Sequence, residues 1–169
     1  MGLLHHGNSN IKRFQMREKM LAIGDDYWVE NEAGDRAFKV NGKAVRFRET
    51  FVLEDSAGHE VARIKEKKLA VRDTMTIEIG GREAKVHKRM LGIRHRYVVD
   101  FDKGDDFTVK GNFVDHEYEI EREGDKVAEV SKKWFRVRET YGVEIAEGED
   151  IPLILAITVC VDAMAREHD

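Results

Sequence analysis

The chain has 169 residues, of which 37% are charged and 41% hydrophobic, and its mean hydropathy is −0.54. This length fits one domain of ordinary size. The single cysteine excludes an internal disulfide framework and a cysteine-based zinc cluster, and it is typical of a reducing compartment. The single proline argues against a Pro-rich linker, and the net charge of −4 provides no global basic excess of the kind that nucleic-acid binders carry.

Residues 1–13 are predicted to be an extension that precedes the folded domain. They contain no apolar run of the length that a signal peptide needs. The pair His5 and His6 is more typical of an added tail than of a metal site. A single domain is therefore expected over residues 14–169.

An internal repeat organises the rest of the chain. Residues 62–79 align without gaps to residues 128–145, and weaker copies extend the pattern in both directions. The copies place one bulky anchor residue every 21–24 positions: Tyr27, Phe51, Met75, Tyr97, Tyr118 and Tyr141. A Gly-containing turn and a second alternating stretch follow each of the first five anchors, which is the signature of a β-hairpin. The repeat therefore predicts six hairpin-like units.

An Arg–acid–Thr triplet recurs at residues 48–50, 72–74 and 138–140. Alternation along a strand places the acidic residue on the apolar side, so that Glu139 is level with Val137 and Tyr141. A position repeated three times around one fold indicates a scaffold role, because an active site rarely occurs in three copies.

Residues 151–161 form an apolar run without a charge. Their eleven residues fall short of the roughly 20 that span a membrane. Asp150 and Pro152 are typical of a helix start, so we predict a helix over about 151–165, with a membrane anchor or a strand as alternatives. A helix that is apolar on all sides must be surrounded by protein. The prediction is a mainly-β fold, a closed antiparallel barrel of about twelve strands around a buried C-terminal helix.

Three segments, residues 115–122, 128–145 and 150–164, resemble LURP-one-related proteins. That family belongs to the tubby C-terminal-like superfamily, together with the phospholipid scramblases. The resemblance spans about residues 14–164 and implies a twelve-stranded barrel around a central hydrophobic helix. It also implies a choice of functions, because tubby-type relatives bind phosphoinositides, scramblases act at membranes and plant LURP-one relatives are linked to defence. Fold alone does not decide among them.

The predicted topology separates charge along the barrel. In an up-and-down meander all hairpin tips lie at one end, here called the tip end, and all connections between hairpins lie at the other, the link end. The tip segments are residues 30–36, 54–60, 78–83, 100–106, 119–126 and 144–150. The link segments are residues 39–49, 63–73, 85–96, 110–117 and 129–139. With neutral histidines the tip segments sum to −15 and the link segments to +12.

The link segments supply the candidate residues for binding an anionic partner. They are Lys65, Lys67, Lys68, Lys85, Lys88, Arg89, Arg94, Arg96, Lys132 and Lys133, with Trp134 beside them. A basic ring suits an anionic lipid head group, a phosphorylated ligand or, less expected here, a nucleic-acid backbone. Trp134 could enter a membrane interface or stack on a base. The alternative is that these charges are only solvated and that Trp134 packs on the protein.

No motif in the sequence indicates catalysis. It has no nucleophile–base pair, phosphate-binding glycine loop or set of metal ligands, and residues 100–106 lack the spacing of a calcium loop. We therefore expect no enzyme activity, no cofactor and no metal. The leading hypothesis is a non-enzymatic binding module of the LURP-one/tubby-like type, cytoplasmic or peripheral at the membrane. A scaffold or regulatory protein that binds another protein, a scramblase-like membrane function and an enzyme stay as alternatives.

Overall fold

A computed structural model describes residues 11–17, 26–45, 48–67, 74–91, 94–135 and 137–166. The strands are β1 Lys12–Arg17, β2 Asp26–Asn31, β3 Arg36–Val45, β4 Arg48–Asp55, β5 Glu60–Glu66, β6 Thr74–Ile79, β7 Arg82–Leu91, β8 Arg94–Phe101, β9 Phe107–Asn112, β10 Glu117–Arg122, β11 Asp125–Ser131 and β12 Thr140–Ile145. A short 3-10 turn covers Lys132–Trp134, and the helix α1 covers Ile151–Arg166.

The twelve strands close into one antiparallel barrel, which confirms the predicted fold. Each strand pairs with its neighbours in chain order, and β1 pairs with β12 to complete the ring. Connections in such a meander alternate between the two ends of the barrel. The tip end and the link end therefore exist as the charge argument requires.

The repeat predicted from the sequence is a structural repeat. All six anchor side chains face the interior and are at most 5% exposed. In β2, β4 and β10 the register shifts by one residue at the same place, two residues after the anchor. In the first two hairpins, the side chains of Asn31 and Asp55 each accept hydrogen bonds from the backbone N–H groups two and four residues later. These bonds close the turn.

The helix fills the barrel, as the apolar run predicts. Asp150 Oδ1 accepts a hydrogen bond from Leu153 N at 3.2 Å and caps the first turn. Every residue from Leu153 to Met164 is buried, and the helix packs against β4, β5, β6 and β12. Since α1 follows the last tip segment, it enters at the tip end and finishes at the link end.

The first strand begins earlier than the predicted domain start at residue 14. Lys12 and Arg13 belong to β1 and pair with Ile145 and Glu144 of β12. Arg13 Nε lies 2.6 Å from Glu144 Oε2, and the Glu144 side chain is fully buried. Because this contact joins the two ends of the chain, no local pattern in residues 1–13 indicates it. Residues 1–10 lie outside the described part of the structure.

The expected orientation of the Arg–acid–Thr triplet is wrong at residues 138–140. Glu139 is exposed at a positive φ of 60°, and Val137 is 57% exposed. After β11 the chain leaves the sheet through the 3-10 turn, so strand alternation does not apply until β12 begins at Thr140. The acidic side chains of the other two triplets lie outside the described residues.

Candidate anion-binding site at the link end

Three cations form a continuous row across the outside of the barrel, here called the cation row. Arg89 on β7 is the direct partner of Arg96 on β8, and Arg96 is the partner of Lys110 on β9. Like charges directly opposite each other destabilise a sheet. Lys110 is neutralised by Glu121, with Nζ 2.6 Å from Oε1, but no described carboxylate lies within ion-pair distance of Arg89 or Arg96.

Next to this row, the link end contains a cavity of about 840 Å³. Lys88 lines the cavity and is the direct cross-strand partner of the buried Tyr97. Its side chain therefore lies on the same, interior face of β7 as that of Val86. Lys88 is half-buried, and among the described residues it has no ion-pair partner. The apolar part of the lining includes Tyr97, Phe113 and Tyr118. The ring centre of Phe113 lies 4.7 Å from that of Tyr97 and 5.5 Å from that of Tyr118.

The opposite wall of the cavity is acidic, but its carboxylates already have partners. Glu129 accepts from Lys126 at 2.9 Å and from Lys133 at 3.3 Å, and Lys126 also lies 3.3 Å from Glu119. Burial alone would raise the pKa of Glu129, yet its hydrogen bonds to the two lysines lower it. Glu117 accepts from Ser131 Oγ and Lys132 N, both at 3.0 Å. Neither donor to Glu117 is a cation, so among the described residues the cavity holds the unpaired charges of Lys88 and Arg96 beside that of Glu117.

The structure spreads the remaining predicted residues over several environments. Lys65 pairs with Glu78, with Nζ 2.7 Å from Oε1. Lys133 pairs with Glu129, with Nζ 3.3 Å from Oε1, and the backbone N–H of Lys132 donates to Glu117.

Lys67 and Lys85 are exposed, and Lys85 lies three residues after the start of β7, toward the tip end. Arg94 is the first residue of β8, but its side chain lies outside the described residues, as does all of Lys68. Only Lys88, Arg89 and Arg96 therefore come together as an unneutralised group among the predicted residues that the structure describes.

Trp134 packs against the barrel wall. An added Cβ at Gly142 would lie 3.0 Å from the Trp134 ring and 2.9 Å from the Phe135 ring, so both aromatics cover this glycine. The Arg13 guanidinium lies 5.4 Å from the centre of the Trp134 ring. The half-buried indole thus covers the Arg13–Glu144 pair.

A buried polar cluster lies where α1 reaches the link end. The Asp162 carboxyl group, 2% exposed, accepts hydrogen bonds from Tyr118 OH at 3.0 Å and from Tyr141 OH. His116 stacks on the Tyr141 ring at 4.2 Å, and its Nδ1 lies 3.4 Å from Asp162 Oδ1. Tyr27 OH is also buried and has no hydrogen-bond partner among the described residues.

This Asp162 cluster is held by its protonated phenols. Burial, reinforced by the Asp162 charge, raises the pKa of Tyr118, Tyr141 and Tyr27 well above the usual range. The hydroxyls therefore stay protonated at ordinary pH, and those of Tyr118 and Tyr141 donate to Asp162. They offset the unfavourable position of an acidic group at the C-terminal end of a helix.

Lys110 and the Asp162 cluster were not predicted from the sequence. Lys110 lies in a link segment of net negative charge, and only the register of β8 with β9 places it beside Arg96. Asp162 interrupts an apolar run that resumes with Ala163 and Met164. That single charge between buried residues was the available signal of a satisfied polar group.

The described residues contain no group of three or more His, Cys, Asp or Glu side chains placed to hold a metal ion. None of the helices in this part of the chain has the length and apolarity required to cross a bilayer.

Comparison with known proteins identifies the family. The sequence profile described as LURP-one-related matches residues 12–162, which is most of the chain. The chain belongs to the LURP-one-related family. A crystal structure of a protein from Arabidopsis thaliana is similar to this LURP-one-related barrel, with a TM-score of 0.68 and 18% identity over 92% of each chain. At that identity the likeness shows the shared fold. No curated protein matches the chain in sequence.

Proposed function

We propose that the chain is a non-enzymatic binding module that captures a phosphate-bearing group in the link-end cavity. The group belongs to a lipid head group or to a phosphorylated ligand. Membership of the LURP-one-related family and the barrel fold support a binding role. The one observation that carries the proposal is Lys88, a half-buried cation that lines a cavity without a counter-ion among the described residues.

The unbalanced cations destabilise the free protein. Removing a cation from water costs free energy unless an opposite charge or hydrogen bonds compensate it. Lys88 and Arg96 carry that cost together at one cavity, and Arg89 lies opposite Arg96. An anionic ligand provides the missing counter-charge, and a hydrogen bond to a charged group contributes roughly 1.5–3 kcal/mol.

Calorimetric titration with inorganic tripolyphosphate tests the proposal. We expect saturable binding that weakens steeply as salt rises, because the contacts are electrostatic. Lys88→Gln and Arg96→Gln should each reduce affinity about tenfold or more, the loss of one charge-assisted hydrogen bond.

Lys103→Gln is the matched control, because it removes one exposed charge from a tip segment. It should leave binding unchanged. The proposal is wrong if neither tripolyphosphate nor anionic vesicles bind at low salt. It is also wrong if Lys103→Gln weakens binding as much as Lys88→Gln.

A further inference from the structure

The exposed large apolar side chains of the described residues all lie at the link end. They are Met90, Val114 and Val137, which are 68%, 62% and 57% exposed. Single exposed apolar residues are normal on a protein surface. The informative observation is that all three share the barrel end that also holds the cation row.

The three side chains are spread along one rim around the cavity. Met90 is the cross-strand partner of His95, which lines the cavity, and Val114 itself lines it. Val137 lies in the connection between β11 and β12, farther round the same rim. A cavity with unbalanced cations thus lies between apolar side chains that point to solvent.

We propose that this rim docks onto an anionic lipid bilayer, with Met90, Val114 and Val137 inserted between the lipids. The inference rests on the proposed function and names the lipid head group as the source of the phosphate. The cations meet the anionic surface, and the acidic tip end, with its −15, points away from it.

A bilayer fits this rim better than a protein partner does. Protein interfaces bury a contiguous and closely packed apolar centre. Here the apolar side chains are separated by the cavity and by several strands, so a rigid partner would leave gaps between them. A fluid bilayer adapts to separate points of insertion, and binding combines buried apolar area with attraction to anionic lipids.

The experiment measures vesicle binding and the depth of insertion into the bilayer together. Full-length protein is mixed with vesicles of phosphatidylcholine, with or without phosphatidylglycerol, and separated by sedimentation. Val114→Cys carries an environment-sensitive fluorophore, and Ala57→Cys in a tip segment is the matched control. The native Cys160 does not interfere, because it is fully buried and burial raises the pKa of its thiol.

Binding is expected only with phosphatidylglycerol, and the fluorophore should shift to the blue at position 114 but not at 57. A double variant, Met90→Ser and Val137→Ser, neither of which lines the cavity, should bind these vesicles about tenfold more weakly, as partial burial of two apolar side chains predicts. It should bind tripolyphosphate as the parent chain does, which also shows that its cavity is folded.

The remaining outcomes separate the two proposals. If tripolyphosphate binds but vesicles do not, or if the double variant binds vesicles like the parent, the bilayer inference is overturned and the proposed function stands. Equal spectral shifts at positions 57 and 114 also overturn it. If neither probe binds, both proposals fail. Vesicle binding without tripolyphosphate binding, with the shift confined to position 114, supports the bilayer as the partner.

Discussion

The two ends of the barrel differ in how far their charged and polar groups are satisfied. At the tip end the hairpins are closed by short turns with glycines at positive φ, such as Gly34 and Gly58, and by side chains that accept backbone N–H bonds. At the link end the described residues include unbalanced cations on β7 and β8, exposed apolar side chains and the Asp162 cluster. A repeated local solution indicates a scaffold, whereas departures from local consistency are expected at functional sites.

Removal of the Asp162 carboxyl group should cause the largest loss of stability. Asp162→Ala leaves the buried hydroxyls of Tyr118 and Tyr141 without an acceptor. Each buried hydroxyl without a hydrogen-bond partner lowers the free energy of unfolding by about 1–3 kcal/mol. We expect the free energy of unfolding to fall by about 4 kcal/mol in total, as measured by denaturant titration.

The tip end of the same helix supplies the control for that variant. Asp150→Ala removes the cap at the start of α1 and should cost about 1 kcal/mol. Equal losses in the two variants would mean that the link end does not hold the helix more firmly than the tip end does.

Two glycines test the same contrast in the backbone. A Cβ at Gly111, in β9 at the link end, would lie 2.6 Å from Glu117 O and from Tyr118 Cα. Gly111→Ala should therefore lower the free energy of unfolding by about 3 kcal/mol, through overpacking together with backbone strain.

Gly34, in a tip turn, has open space around the added Cβ, so Gly34→Ala meets only the strain of its φ of +83°. That strain is about 1–2 kcal/mol. Thermal unfolding of the two variants should show the larger shift for Gly111. The reverse order would contradict the close approach of β9 to β10 at the link end.

The thiol of Cys160 reports on opening of the barrel. Burial, and then the charge of Asp162, raises its pKa far above the usual range. The native protein should therefore react with a thiol reagent at mildly alkaline pH only as fast as it unfolds. A reaction much faster than global unfolding, measured by absorbance with hydrogen exchange as the reference, would show that the link end opens locally.

The smallest effect is expected at the tip end, from the titration of Asp55. The backbone N–H of His59, followed by that of Ala57, lowers its pKa below the ordinary 3.8. Its stabilising contribution is therefore complete above pH 3.8 and is lost as pH falls through the lower folded value. NMR titration checks the shift directly, and Asp55→Asn should remove this part of the pH dependence. A carboxyl that titrates at its ordinary value would show that the turn bonds are not formed in solution.

The fold was predictable because its signals are local and repeated. Alternating residues around each anchor, from Tyr27 to Tyr141, specify hairpins, and the uncharged run after Asp150 specifies a helix that protein must surround. The start of β1 was harder to predict from the sequence, because Arg13 is held in place by its ion pair with Glu144 in the last strand.

The site was predictable only in part. The sequence placed the cations at the link end, but it could not show that Lys65 and Lys133 have carboxylate partners while Lys88 and Arg96 do not. Ion pairing depends on cross-strand register and side-chain reach, and neither is encoded within one strand.

The sequence alone determined the hairpin repeat, the buried helix and the separation of acidic tips from basic links, since these depend on residues close together in the chain. Tertiary structure alone decided which charges are neutralised, and it brought Tyr118, Tyr141 and His116 onto Asp162. The physical reason is distance along the chain. Closure of the barrel determines which residues surround each charged group. Only then is the Asp162 carboxyl group buried among hydrogen-bond donors, and only then does Lys88 lie without a counter-ion among the described residues.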